Sequence, residues 1–422
     1  MKNESKVINQ GGFGCIFYPS LSCKKEEPNV KQTQEYVSKL VERNFSSKNE
    51  INIGEIIKKI PFYSLYYVPV LQHCAANLSK VGNKEIKKCN IIDKAEEHVK
   101  YILLKMKYLK NIKFTEYLLT NKSKKHILNI IFDTYSYFLF SLEQLMTYEV
   151  VHFDFKWDNA VIDLKTELPV ILDFGISIPI RKLLDYDRAL NASDENVDGN
   201  DENEKEEKGK LDKSGEHANK EYKYELFRNY FYTYFPRYSL WPLEVHAMCY
   251  VLHEHSRLTP NSLQQLIDEY VDSNAAFTIF SPEFMEKYKK LCFETMDHLI
   301  DKPRKYVIHE CLKFWNTWDN YALSISYFQI IHFISSSGFT SNAFLLSFSE
   351  ILLGNVHPDP SRRSNYTITR YEYKSIFYQK TSIRDFELLI DNFDFDKFKS
   401  ESVKDSRRNE SLFSQLSSSQ RR

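Results

Sequence analysis

The period of the apolar positions changes along the chain, and the change divides it in two. Val7-Ile8 and Ile16-Phe17-Tyr18 flank Asn-Gln-Gly-Gly, which predicts two strands joined by a Gly-rich turn. Residues 36–41 predict another short strand, and 101–109 are apolar enough for a buried one. Between these, Ile51, Ile53, Ile56, Ile57 and Ile60 have a helical spread over 50–60, closed by Pro61. From about Asn121 the pattern shifts. Residues 127–146 predict a long helix, and Val150-Val151 and Val170-Ile171-Leu172 predict short strands around a polar segment. Beyond about residue 220 the period is helical, with candidates at 262–272, 282–300, 304–316, 319–335 and 343–353. The expected fold class is α+β, with a β-rich N-terminal lobe over 1–109 and a helical C-terminal lobe over 110–400.

Two segments do not fit a core. Residues 191–220 are almost wholly charged or small, and 401–422 are rich in Ser, Gln and Arg. Such stretches bury too little apolar area to offset their ordering entropy, so both are expected to be disordered.

Composition narrows the function classes. Lys plus Arg equals Asp plus Glu at 57 each, so net charge gives no reason to expect nucleic-acid or membrane-surface binding. The apolar share of 42% supplies a large core, and the aromatic share of 15% reads as codon bias rather than function. The seven cysteines are scattered, odd in number and never in a C-x-x-C pair. The expectation is therefore free thiols in a reducing compartment, with no disulfide framework and no zinc. No apolar run approaches the roughly 20 residues of a membrane span, and Met-Lys-Asn-Glu-Ser does not open a signal peptide. The chain reads as soluble and cytoplasmic.

The chemistry concentrates in Val151-His152-Phe153-Asp154-Phe155-Lys156-Trp157-Asp158-Asn159, which the pattern places in a loop. A carboxylate, an ammonium and an amide lie within six residues. In phosphoryl transfer the carboxylate accepts a hydroxyl proton, the ammonium neutralises the moving phosphoryl, and the amide oxygen holds a metal ion. After the apolar run 170–172 comes Asp173-Phe174-Gly175, a carboxylate at a strand end where it can reach Mg²⁺ on phosphates.

These two motifs resemble the catalytic loop and the metal-binding Asp-Phe-Gly of protein kinases. Gly11-Gly12-Phe13-Gly14-Cys15-Ile16 resembles the end of the kinase Gly-rich loop, with Asn9 where the family has its first glycine. Asn tolerates positive φ, which that turn would need. Lys39 in Tyr36-Val37-Ser38-Lys39-Leu40 matches the lysine that pairs with nucleotide phosphates, and Glu50 or Glu55 matches the glutamate that holds it. Met106-Lys107-Tyr108-Leu109 is similar to the adenine-binding hinge. Trp318-Asp319-Asn320-Tyr321-Ala322-Leu323-Ser324 resembles the start of the helix whose aspartate braces the catalytic loop. His357-Pro358-Asp359-Pro360-Ser361-Arg362-Arg363 resembles the late D-P-x-x-R motif, whose arginine pairs with the glutamate of A-P-E. The nearest A-P-E match is Trp241-Pro242-Leu243-Glu244. The matches run in family order over residues 7 to 364, and their style is similar to kinases of large DNA viruses.

The resemblance implies a two-lobed kinase fold and a Ser/Thr protein kinase using ATP and Mg²⁺ on protein substrates. If the chain is viral, it implies the host cytoplasm or the virion. It implies Asp154 and Lys156 as catalytic residues and Asn159 and Asp173 as metal ligands. Gly11, Gly12, Phe13, Gly14, Ile16, Lys39, Glu50, Lys107 and Leu109 would bind nucleotide. Lys156, two residues after the aspartate, favours Ser/Thr acceptors, whereas small-molecule kinases of this fold usually lack it. A pseudokinase scaffold and a small-molecule kinase are the alternatives. Phe153 stands where most of the family carries an arginine that gathers an activation-segment phosphate. The bland readings are a solvent-facing strand lysine at 39, an exposed helix charge at 50, a bracing His152 and a small hydrophobe at Cys15.

Overall fold

A computed structural model describes residues 5–11, 14–24, 34–78, 83–89, 91–92, 100–120, 123–195, 223–334, 342–378, 380–401, 404 and 411. Five antiparallel strands form the N-terminal sheet: β1 (Lys6–Gly11), β2 (Gly14–Tyr18), β3 (Tyr36–Glu42), β4 (Gln72–Ala75) and β5 (Tyr101–Lys107). Their order is β1-β2-β3-β5-β4. Gly11 pairs with Gly14 across the first turn. A Cβ on Gly14 would lie 2.6 Å from the Leu40 carbonyl oxygen, so only glycine lets β2 lie this close to β3. Asn9 does not take the positive φ expected of it. It stays in β1 opposite Ile16 beside a register shift, and its Oδ1 accepts the Gln10 N–H at 2.9 Å.

Helix α1 (Phe45–Ile57) follows β3. It begins five residues before the apolar period does. Asn44 and Ser47 form a reciprocal capping box, and the first turns are polar because Ser46 and Asn49 bond outward to carbonyls of other segments. Its buried Ile53 and Ile57, with Ile60 and Tyr67, belong to the same apolar cluster as the C-terminal helices. The two expected lobes therefore share a core along this helix.

The C-terminal part opens with β6 (Asn111–Lys113), α2 (Phe114–Thr120) and the long α3 (Lys124–Thr147), capped by Ser123. Short pairings follow: β7 (Val150–Val151) with β10 (Ile178–Pro179), and β8 (Ala160–Asp163) between β6 and β9 (Pro169–Ile171). The remainder is helical: α4 (Ile180–Glu195), α5 (Glu225–Tyr230), α6 (Leu243–His253), α7 (Pro260–Asp272), α8 (Pro282–Met296), α9 (Arg304–Leu312), α10 (Trp318–Ile334), α11 (Ala343–Asn355), α12 (Tyr366–Tyr378) and α13 (Lys380–Asn392). Among the described residues no helix is long and apolar enough to cross a membrane.

Three expectations need correction. Residues 191–195, assigned above to a disordered insertion, complete α4; the rest of 191–220 lies outside the described residues. In the tail, 401, 404 and 411 are helical, and the other positions of 401–422 likewise lie outside them. The cysteines are not all free: Cys15 bonds Cys89, and Cys23 bonds Cys74. The partners are 74 and 51 residues apart, and the odd count arises because Cys249, Cys292 and Cys311 are buried thiols. Cys15 and Cys89 help build a small second core with Phe17, Leu40 and Leu103 on the sheet. Two cross-links do not fit the reducing compartment expected from scattered free thiols.

Candidate active site

Strand β3 carries Lys39 opposite Ile16 on β2 and Leu104 on β5. The side chain is buried, not solvent-facing. Its Nζ donates to both Glu50 oxygens at 3.0 and 3.1 Å and to Asp173 Oδ1 at 2.9 Å. The choice left open above is settled geometrically: Glu55 is exposed and pairs with Lys58 at 2.7 Å. Burial pulls the Lys39 ammonium down, but Asp173 and Glu50 outweigh it and raise its pKa. Burial raises the Glu50 carboxyl against the pull of Lys39.

Asp173 sits two residues past β9 with φ of 60°, a conformation that L residues rarely adopt unless their surroundings impose it. The bend lets Oδ1 accept from Lys39 and, at 3.3 Å, from the Gly175 N–H. A Cβ on Gly175 would lie 3.2 Å from that oxygen and 3.6 Å from both Lys39 Nζ and Glu50 Oε2, so glycine keeps the cluster open. Burial pushes the Asp173 carboxyl up, yet the Lys39 ammonium, helped by Lys156, holds it at about 2. The side chain is 40% exposed, so water tempers the pairing energy.

The second cluster lies on the loop after β7. Lys156 Nζ donates to both Asp154 oxygens at 2.9 Å. Asn159 Nδ2 donates to the Asp154 carbonyl at 2.8 Å and to its Oδ2 at 2.9 Å, which fixes the amide and leaves Oδ1 as its remaining polar atom. The loop is braced from below. Asp319, at the start of α10, accepts the N–H groups of His152 at 2.6 Å and Phe153 at 2.9 Å. Burial raises the Asp319 carboxyl, while His152 and those two N–H groups pull it back. The His152 ring spans the Leu172 carbonyl at 3.0 Å and the Asp154 N–H at 3.3 Å, which assigns the Nε2–H tautomer. His152 thus braces the loop.

The two clusters adjoin. The Leu172 N–H donates to the Asn159 carbonyl at 2.8 Å, Ala160 pairs with Ile171, and Lys156 acts electrostatically on Asp173. Helix α1 docks onto the same place: Ser46 Oγ donates to the Gly175 carbonyl at 2.9 Å, and Asn49 Nδ2 to the Ser177 carbonyl at 2.7 Å.

The other predicted residues frame this region. Gly11 and Gly14 close the β1–β2 turn, and Ile16 is half-buried on β2; Gly12 and Phe13 lie outside the described residues. Lys107 ends β5 opposite Tyr36, and the Leu109 carbonyl accepts from the Asn111 side chain at 2.9 Å. Leu109, Met106 and Leu172 pack on Val68, Val161 and Val170, an apolar bed beside Asp173.

Some of the site was not visible in the sequence. The hydroxyl of Tyr238, 84 residues from Asp154, donates to Asp154 Oδ1. Trp241 Nε1 donates to the Phe153 carbonyl at 2.9 Å, and its ring stacks on Phe153 at 4.7 Å. Glu244, in the first turn of α6, takes both Arg363 nitrogens at 2.6 and 2.9 Å, so the looser A-P-E and D-P-x-x-R matches do meet. The Glu244–Arg363 pairing was expected from the resemblance; for Tyr238 and Trp241 no spacing rule links such distant positions, and only the aromatic Tyr-Ser-Leu-Trp run ahead of Pro242 marked the stretch.

No family model and no curated protein matches this chain.

Proposed function

We propose that the chain is an ATP-dependent protein kinase of the Ser/Thr type with a two-lobed kinase-like fold. One observation carries this reading. Lys39 joins Glu50 to Asp173 beside a loop where Asp154 is held by Lys156 and Asn159. Four separate chain segments converge to make it, and surface charges have no reason to do so.

In this reading the nucleotide lies between the β1–β2 turn and the Leu109–Leu172 bed, its phosphates toward Lys39. Asp154 orients the acceptor hydroxyl and takes its proton, and Lys156 neutralises charge on the moving phosphoryl. The Asn159 amide oxygen and the Asp173 carboxylate are hard oxygen donors suited to Mg²⁺. Among the described residues no three His, Cys, Asp or Glu gather to hold a metal, so the remaining ligands would be phosphates and water. When bound, that ion screens the phosphate charge.

The test is transfer of radiolabelled phosphate from ATP to a generic basic protein, with aminoglycoside and choline as small-molecule acceptors. Asp154→Asn is expected to lower protein labelling by on the order of 100-fold or more while leaving the ATP-induced rise in Tm unchanged. Labelling only of the small molecules, ATP binding without transfer, or full activity in the variant would each refute the proposal.

A further inference from the structure

The two disulfides flank the strand that would roof the nucleotide. Along β2 the side chains alternate between the faces of the sheet. Ile16 lies opposite Lys39, on the side of the proposed cleft. Cys15 lies opposite Leu40 and, with Phe17, joins the small core on the far face. The bond to Cys89 therefore anchors β2 from behind, between Gly14 and Ile16. The segment that carries Cys89 holds the neighbouring strand as well: Glu85 Oε2 accepts the Val7 N–H of β1 at 2.9 Å. Just beyond, the Ile91 carbonyl accepts the Tyr101 hydroxyl at 2.9 Å, which fixes the segment to β5.

The other end of β2 is tied too. Past it, Cys23 bonds Cys74 on β4, the far edge of the sheet, and the Lys24 N–H donates to the Ala75 carbonyl at 3.1 Å. Strand β1 is the opposite edge. It pairs with β2 alone, and its register shifts between Val7 and Asn9. A strand bonded on one side with a broken ladder opens more easily than the rest of a sheet, so its anchors decide its place.

We propose that the two disulfides are a redox clamp on the β1–β2 hairpin: oxidised, they hold it over the nucleotide, and reduced, they release it and ATP binding weakens. This rests on the kinase reading and adds a regulation of its nucleotide site.

A reductant has a way in. Cys74 is half-buried on an edge strand, whereas Cys15 and Cys89 are 1% and 0% exposed. Attack therefore starts at the Cys23–Cys74 pair, and the inner pair follows as its cover loosens. Each disulfide takes up two electrons and two protons from a dithiol, whose own sulfurs close into a disulfide. Both pairs join residues far apart in the chain, so the freed segments regain much conformational entropy.

The experiment measures ATP affinity by calorimetry on oxidised protein, on protein reduced with dithiothreitol, and on reduced protein reoxidised with oxidised glutathione. Reduction is expected to raise the Kd about tenfold, as when a competent hairpin is populated about one-tenth of the time, and reoxidation to restore it. Hydrogen exchange over 6–11 and 14–18 should speed up on reduction while 318–334 stays unchanged. Cys15→Ala/Cys89→Ala, which keeps the outer cross-link, should show the raised Kd without reductant. An unchanged Kd in reduced protein that titrates as seven thiols, or a normal Kd in the variant, overturns the clamp and leaves the kinase reading standing. So does a Kd that rises only together with exchange over 318–334, because general unfolding then accounts for it. If the oxidised protein binds no ATP, the kinase reading fails and the clamp fails with it.

Discussion

The ion pair between Arg363 and Glu244 offers the sharpest test of the packing. Both side chains are 1% exposed. Arg363 grips the carboxylate in two-pronged fashion at 2.6 and 2.9 Å, and also donates to Thr317 Oγ1 at 3.1 Å and the His357 carbonyl at 2.9 Å. Its guanidinium lies over the Tyr321 ring. Burial pulls the Arg363 pKa down and Glu244 more than reverses it. Arg363→Met removes the cation and leaves a buried carboxylate without its partner. Breaking such a pair from one side costs about 3–5 kcal/mol, whereas replacing both charges by apolar groups is close to neutral. For a chain of 422 residues, about 1 °C per kcal/mol converts the loss to a Tm drop of about 3–6 °C. Thermal melts and urea titrations of Arg363→Met, Glu244→Leu and the double variant give the coupling directly. The double variant is expected to lie within about 2 kcal/mol of wild type, far from the sum of the singles. An Arg363→Met loss below about 1 kcal/mol, or a double variant at that sum, would refute the buried pairing.

Four further outcomes are expected. Glu50→Gln should weaken ATP binding by about tenfold through the freed Lys39, while Glu55→Gln, on an exposed i,i+3 pair, should leave it unchanged; calorimetry reads both. Denatured, unreduced protein should titrate as three thiols and reduced protein as seven, and reduction should lower Tm, since each cross-link is worth about 4 kcal/mol of chain entropy for loops of this length. Burial holds His246 down at about 4 against its ordinary 6.5, despite carbonyl contacts from Tyr238 and Trp241. The unfolded chain therefore takes up a proton that the folded one refuses. About 3 kcal/mol of stability should be lost as pH falls from 6.5 to 4, and urea midpoints of His246→Gln should show a flatter profile. On the kinase reading, fully dephosphorylated protein should retain transfer activity, because Phe153 is packed among Trp241, Phe231 and Trp318 and offers no group to hold a phosphate; an inert protein rescued by phosphorylation would contradict this.

How much was legible in the sequence follows from what is local. The strands around residues 7–18 and 36–42, helix α3 and the loop 151–159 declare themselves through apolar period and turn chemistry, which neighbouring residues set among themselves. The types of groups available to the proposed phosphoryl-transfer site are visible for the same reason. Helix α6 is not visible: residues 243–252 are buried on every side, so no amphipathic stripe marks it. Strand β4, Gln-His-Cys-Ala, has no apolar run and exists only because β5 pairs with it. The cysteine pairing, the selection of Glu50 over Glu55 and the placing of Tyr238 on Asp154 are tertiary facts, whereas the meeting of Arg363 with Glu244 was expected from the resemblance. Each joins groups from different elements, and such contacts form only where the packed core brings their backbones together.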